Sequence, residues 1–143
     1  MQLDTTRFGT LGCEARDLLL FPEGIIGFEH LHAWAVLREP PLCWLQAVED
    51  AQIALPLVSP FRCVANYRLQ LDSSDGRLLD MTASRTALVL VVIGQHDGQW
   101  TLNLRAPIII RPELRLGRQV VSGSGHSLQH ALPRLDGSVR KCA

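Results

Sequence analysis

Neither sign of charge is in excess in this chain: Lys and Arg total 14, Asp and Glu total 14, and the formal net charge is zero. Proteins that grip nucleic acid do so largely by neutralising phosphates with Lys and Arg, so a balanced chain without a basic cluster is a poor candidate for direct nucleic-acid binding. Cysteine is sparse. Cys13, Cys43, Cys63 and Cys142 contain no C-x-x-C pair, which argues against a zinc site built from cysteines and fits unpaired thiols in a reducing compartment. Long apolar runs are missing too: the longest, 87–93, falls far short of the ~20 residues of a membrane-spanning helix. Residues 1–7 hold no cationic stretch followed by an apolar one, so they do not read as a signal peptide, and the expected setting is the cytoplasm, away from membranes.

Catalytic patterns are equally scarce. The five histidines are His30, His32, His96, His126 and His130, and a metal cluster drawn from four of them lacks H-E-x-x-H or Cys–His spacing. Cys43 with His126 resembles a thiol–base pair on paper, but Cys43 lies inside an apolar run beside Trp44, where cysteine behaves as a small buried hydrophobe. Gly123-Ser124-Gly125 is too short for a phosphate cradle and has no lysine to complete one. The expectation is a protein without enzymatic activity, cofactor or metal.

What the chain does contain is a series of short apolar runs bounded by turn residues: 17–21, 34–37, 43–48, 53–58, 86–93, 100–104, 108–110 and 114–121. Their length and their content of Val, Ile, Leu and Trp predict a mainly β, single-domain, antiparallel β-barrel-like fold. With 143 residues such a domain buries roughly 68–70% of its unfolded surface without staples. Asp97-Gly98 between two runs predicts a hairpin, with Trp100, Leu102 and Leu104 on the buried face of its second strand and Thr101 and Asn103 on the wet one. Residues 88–93 are apolar on both faces and read as a central strand, whereas Pro56 predicts a rim strand or a bulge. One or two short helices are expected, at 28–33 and at 75–83. The domain is read as 1–132, followed by a flexible basic tail, 133–143, with Arg134, Arg140 and Lys141.

Two segments carry the functional information. In Phe21-Pro22-Glu23-Gly24-Ile25-Ile26-Gly27-Phe28-Glu29 the proline and glycines force turns directly after an apolar run. In Trp44-Leu45-Gln46-Ala47-Val48-Glu49-Asp50 an apolar strand delivers two carboxylates to a turn. These are followed by Leu104-Arg105-Ala106-Pro107-Ile108-Ile109-Ile110, Gly117-Arg118-Gln119-Val120-Val121 and His126-Ser127-Leu128-Gln129-His130. In order and spacing the series resembles the flagellar assembly factor FliW family from about residue 4 to about residue 132.

The resemblance implies a protein-binding regulator whose partners are flagellin and the translational repressor CsrA. CsrA is antagonised away from its RNA groove, and repression of flagellin translation is thereby relieved. It implies contact residues at Phe21, Ile25, Phe28, Glu49, Asp50, Asn103 and Arg105, and a monomer when free. The chain departs from the family's pattern in its neutral charge, in a shortened acidic helix near 74–80, and in His126 and Gln129 where Tyr and Arg are usual. The last change removes a guanidinium fork able to clamp a carboxylate. The alternative class is a small RNA-binding β-barrel, which would need Trp34, Trp44, Trp100 or Tyr67 on an open strand face.

Overall fold

The computed structural model describes residues 1–70, 87–122, 125 and 130–131. The elements are β1 (Gln2–Thr5), β2 (Gly9–Gly12), β3 (Leu18–Leu20), β4 (Ala33–Glu39), β5 (Leu42–Ala47), β6 (Ala54–Val58), α1 (Pro60–Cys63), β7 (Leu88–His96), β8 (Gln99–Leu102), β9 (Ile108–Arg111), β10 (Leu116–Gln119) and β11 (His130–Ala131).

Hydrogen bonding links the strands in the order β7-β6-β5-β4-β3-β10-β9, and β9 pairs back onto β7. A closed seven-strand barrel results. Closure gives every barrel strand a neighbour on both sides for part of its length, so no barrel strand is an edge along its whole run. Every pairing is antiparallel except β3 with β10, which is parallel at Leu20 and Leu116. β8 and β11 extend from the far half of β7 as a flap. The β7–β8 turn has the predicted chemistry: Asp97 and Gly98 both have positive φ, 50° and 77°, as a two-residue type I′ turn requires.

The barrel interior is filled by Phe21, Trp34, Leu45, Leu57, Ile108 and Ile110. A second cluster, Val91, Ile93, Leu102 and Leu104 with Tyr67, fills the space behind the flap. The β1–β2 hairpin covers the outside of the barrel at Ala35. Its turn brings the Phe8 ring edge-on to Trp44 and the Arg7 guanidinium 4.8 Å from the Trp44 ring.

Pro56 has a different role from the one the sequence suggests. β6 lies between β5 and β7, so it is an interior strand. In an antiparallel ladder successive residues direct their peptide groups to opposite neighbours. The Val92 carbonyl accepts the Asn103 N–H at 3.1 Å on the β8 side, so Val91 faces β6, opposite Val58. By the same alternation Pro56 faces β7, where it has no N–H to offer. The β6–β7 ladder is accordingly limited to Leu57 with Val92 and Val58 with Val91, and the two strands part beyond it.

Three further expectations are corrected. Residues 28–33 form successive turns instead of a helix, with Phe28 N–H donating to the Ile25 carbonyl at 2.7 Å and Leu31 N–H to the Phe28 carbonyl at 3.0 Å. The one described α-helix is α1, which starts on Pro60 after Ser59. Leu102 and Leu104 are buried as expected, but Trp100 is 38% exposed beside the hairpin turn and Thr101 is buried where β11 pairs against it at Ala131. The expected helix at 75–83, the shortened acidic segment and the tail 133–143 lie outside the described residues.

Burial separates the two tryptophans energetically. Trp34→Ala should cost about 3–5 kcal/mol in urea denaturation, against less than about 0.5 kcal/mol for Trp100→Ala. Equal losses would contradict the placement of Trp100.

Candidate functional site at one end of the barrel

Strand direction brings the 21–32 loop, the 48–53 turn, the β7–β8 hairpin and residues 103–107 to the same end of the barrel. Gly24 turns the loop with φ +72°, and a Cβ there would lie 2.6 Å from the Glu29 Cα. The loop then doubles back through an Ile25–Phe28 bridge, and Phe21 N–H donates to the His32 carbonyl at 2.7 Å across its neck. Phe21 and Phe28 meet Trp34 edge-on, with centroids 6.5 and 6.3 Å away. The Glu29 carboxylate accepts the Gly27 N–H at 3.1 Å, and that bond holds its pKa below the ordinary glutamate range.

β10 grips this loop at three consecutive positions. Gly117 lies under the Phe21 ring, where any Cβ would come within 2.2 Å of Cζ. Arg118 Nη1 pairs with Glu23 Oε1 at 2.9 Å. Gln119 Oε1 accepts the Ile26 N–H at 2.8 Å while its Nε2 donates to the Ala106 carbonyl at 3.0 Å, tying the loop to the 103–107 turn.

The carboxylates of the second motif are turned inward to backbone. Glu49 accepts N–H groups from His32 and Ala33 at 3.1 and 3.3 Å, and Asp50 accepts from Gln52 at 3.0 Å. The buried Gln46 amide donates to the carbonyls of Ala47, Asp50 and Ala51, so the side chain folds the turn around itself. Asn103 Oδ1 accepts the Ala106 N–H at 3.1 Å, which shapes the turn that presents the exposed Arg105.

Where β6 and β7 part, an open groove of about 260 Å³ forms between the loop, Leu55 and the hairpin. Ile26, Phe28, Gly94, Thr101, Asn103 and Gln119 are among its walls, and His96 is its sole titratable side chain. Such a groove can hold an apolar side chain and offer amide hydrogen bonds at its rim.

Of the expected contact residues, Ile25, Phe28 and Asn103 meet at this groove, and Arg105, Glu49 and Asp50 sit on the turns of the same end. Phe21 has no exposed surface and Ile25 has 2%, so both act from the core, behind any contact surface. The exposed apolar residue of the loop is Ile26, at 64%, and Val121 beside the 103–107 turn is exposed as well, at 61%. Strict alternation through Gly24-Ile25-Ile26-Gly27 would have assigned one isoleucine inward and the next outward. Arg118 and Gln119 are visible in the sequence only as members of a motif.

The remaining chemical candidates do not assemble. Burial pushes the Cys43 thiol up, with the Arg38 charge opposing, which disfavours a thiolate nucleophile. His126, Gly123 and Ser124 lie outside the described residues, among which no group of three His, Cys, Asp or Glu comes together. Trp34 and Tyr67 are buried and Trp44 is covered by Arg7 and Phe8, so of the four aromatics Trp100 alone is exposed, at 38%, and the four do not share one open strand face. No described helix is long and apolar enough to cross a membrane.

Fold and site together define a small closed β-barrel whose one end is an interlocked set of loops around an apolar mouth. The family model described as "FliW protein" matches residues 2–132. The flagellar assembly factor FliW of Moorella thermoacetica is 39% identical over 139 residues, covering 92% of this chain and 88% of its own. That of Geotalea uraniireducens is 33% identical over 135 residues, covering 91% and 83%. A crystal structure of the flagellar assembly factor FliW superposes with a TM-score of 0.83 at 26% identity, covering 92% of this chain and 96% of the other. The chain belongs to the FliW family.

Two outcomes test the site's construction. Gly117→Ala should destabilise the fold by about 1–3 kcal/mol through overpacking against Phe21, measured by denaturant titration; a neutral result would mean that the ring has room to move. The depressed Glu29 pKa means that its bond to Gly27 contributes fully above the unfolded glutamate value and is lost as pH falls through the lower, folded value. In an NMR titration the Gly27 amide should therefore show a midpoint below that of an unfolded-chain glutamate.

Proposed function

We propose that this chain is a non-catalytic flagellar assembly factor that binds flagellin and, when flagellin is scarce, binds the repressor CsrA. Binding away from the RNA groove then weakens RNA binding and relieves repression of flagellin translation. The family match across 2–132 supports this reading. The free protein is taken as a cytoplasmic monomer.

The docking surface we assign is the barrel end around Ile26, with Phe28 and Asn103 in the groove and Arg105 beside it. Both partners are assigned to this one surface, so flagellin and CsrA are expected to compete. An apolar centre with an amide and charged rim is the usual anatomy of such an interface. Allosteric antagonism requires reciprocity: the factor by which this protein weakens RNA binding to CsrA equals the factor by which RNA weakens its own binding.

Calorimetric titration with CsrA, alone and after saturation with flagellin, tests the switch. Heat that disappears in the second titration is the expected result, and undiminished heat would mean separate surfaces. Ile26→Asp should weaken both partners about tenfold or more without lowering stability, since truncating a central apolar contact commonly costs 1–2 kcal/mol or more. Unchanged affinities would remove this end of the barrel as the docking surface.

A further inference from the structure

The opposite end of the barrel has an opening of its own. β6 ends at Val58 and the chain leaves through Ser59 into α1, while β7 continues back to Leu88 and, among the described residues, pairs there only with β9. The strand-wide gap so created is a groove of about 580 Å³ walled by Leu42, Val58, Phe61, Leu88 and Leu90. Phe61 is 54% exposed and Leu88 41%, two large apolar side chains facing solvent across one gap. By the alternation that points Val91 at β6, Val89 directs its N–H and carbonyl into the same gap. Among the described residues, Arg38 and Arg62 are the only charged ones in the lining, and neither forms an ion pair there.

We propose that this groove is a second protein-docking site, one that takes an extended segment of another protein carrying apolar side chains and carboxylates in alternation. The backbone of the segment pairs with the free edge at Val89, where β6 no longer reaches. Its apolar side chains pack between Phe61 and Leu88, and its carboxylates meet Arg38 and Arg62, whose planar guanidinium groups favour paired contacts with carboxylate oxygens. An isolated charge-free gap would admit any apolar strand, whereas two arginines without a lining acid select an acidic one. The site is distinct from the end around Ile26 and does not depend on the identity of the partners there.

The test uses the full chain without flagellin or CsrA. The probe is a short synthetic peptide alternating Leu with Glu, and its counterpart alternating Leu with Lys is the control, both followed by fluorescence anisotropy. The Glu peptide should bind at least about tenfold tighter than the Lys peptide, and Arg38→Glu with Arg62→Glu should invert that preference. Phe61→Ser should weaken the Glu peptide while the variant still unfolds cooperatively in urea, a check required because the Phe61 ring also meets the buried Tyr67 edge-on at 5.3 Å, and bound peptide should slow hydrogen exchange at the Val89 amide. Equal binding of both peptides, or binding indifferent to the arginines, would overturn the proposal. So would a Phe61→Ser variant that only reduces self-association in sedimentation, because the occupant would then be a second copy of this chain.

Discussion

The contact between the Phe21 ring and the bare backbone of Gly117 holds both the barrel and its functional end. Phe21 follows β3 and Gly117 lies in β10, the one parallel pair of the sheet, and β10 is also the strand that passes closure on to β9. With Trp34 edge-on at 6.5 Å on the other side, the ring has no free direction. Interiors packed to crystal density transmit such a constraint instead of absorbing it. Closing the barrel therefore also seats the 21–32 loop, and the next two residues of β10 fasten the loop through Glu23 and the Ile26 amide. Barrel formation and site formation are one event, which is why a loop rich in glycine can still present Ile26 in a fixed position.

The fold class was legible because strand signals are local: apolar runs of the right length, and an Asp-Gly turn with the φ values its geometry demands. What was hidden depended on neighbours. Pro56 announces a missing donor, but only the register with β5 and β7 reveals which side loses it. Burial along β8 is set by position instead of by alternation: Gln99 and Trp100 beside the turn are exposed, and Thr101 and Leu102 further in are both buried. The site followed the same division. Ile25, Phe28 and Asn103 were placed by their motifs, while Gln119 acts through contacts with residues far away in sequence, Ile26 above all, that no spacing rule encodes. α1 is a single turn and too short for a helical period to register.

The two openings of the barrel have related origins in β6. On one side Pro56 withholds a donor and the ladder to β7 stops. On the other, Pro60 opens α1 and takes the chain out of the sheet. Between them only two residue pairs join β6 to β7, so the same short seam closes the barrel and bounds both grooves. The difference between the grooves lies in their linings. One is fringed by amides and interlocked loops; the other is wider, more apolar and marked by two arginines.

At the functional end, exposed carboxylates are bonded to the protein's own groups. Glu29, Glu49 and Asp50 spend their oxygens on backbone N–H groups, and Glu23 is paired with Arg118. The carboxylates that the sequence places at the functional end are thereby turned to shaping its loops. With zero formal net charge and an amide-fringed apolar mouth, long-range steering has little to act on. A partner docking there as proposed would associate at the unsteered rate of about 10⁵–10⁶ M⁻¹s⁻¹, with affinity set by dissociation. Under the proposed competition, such a switch would respond to partner concentration more than to ionic strength, because the surface assigned to it is apolar at Ile26 and its groove.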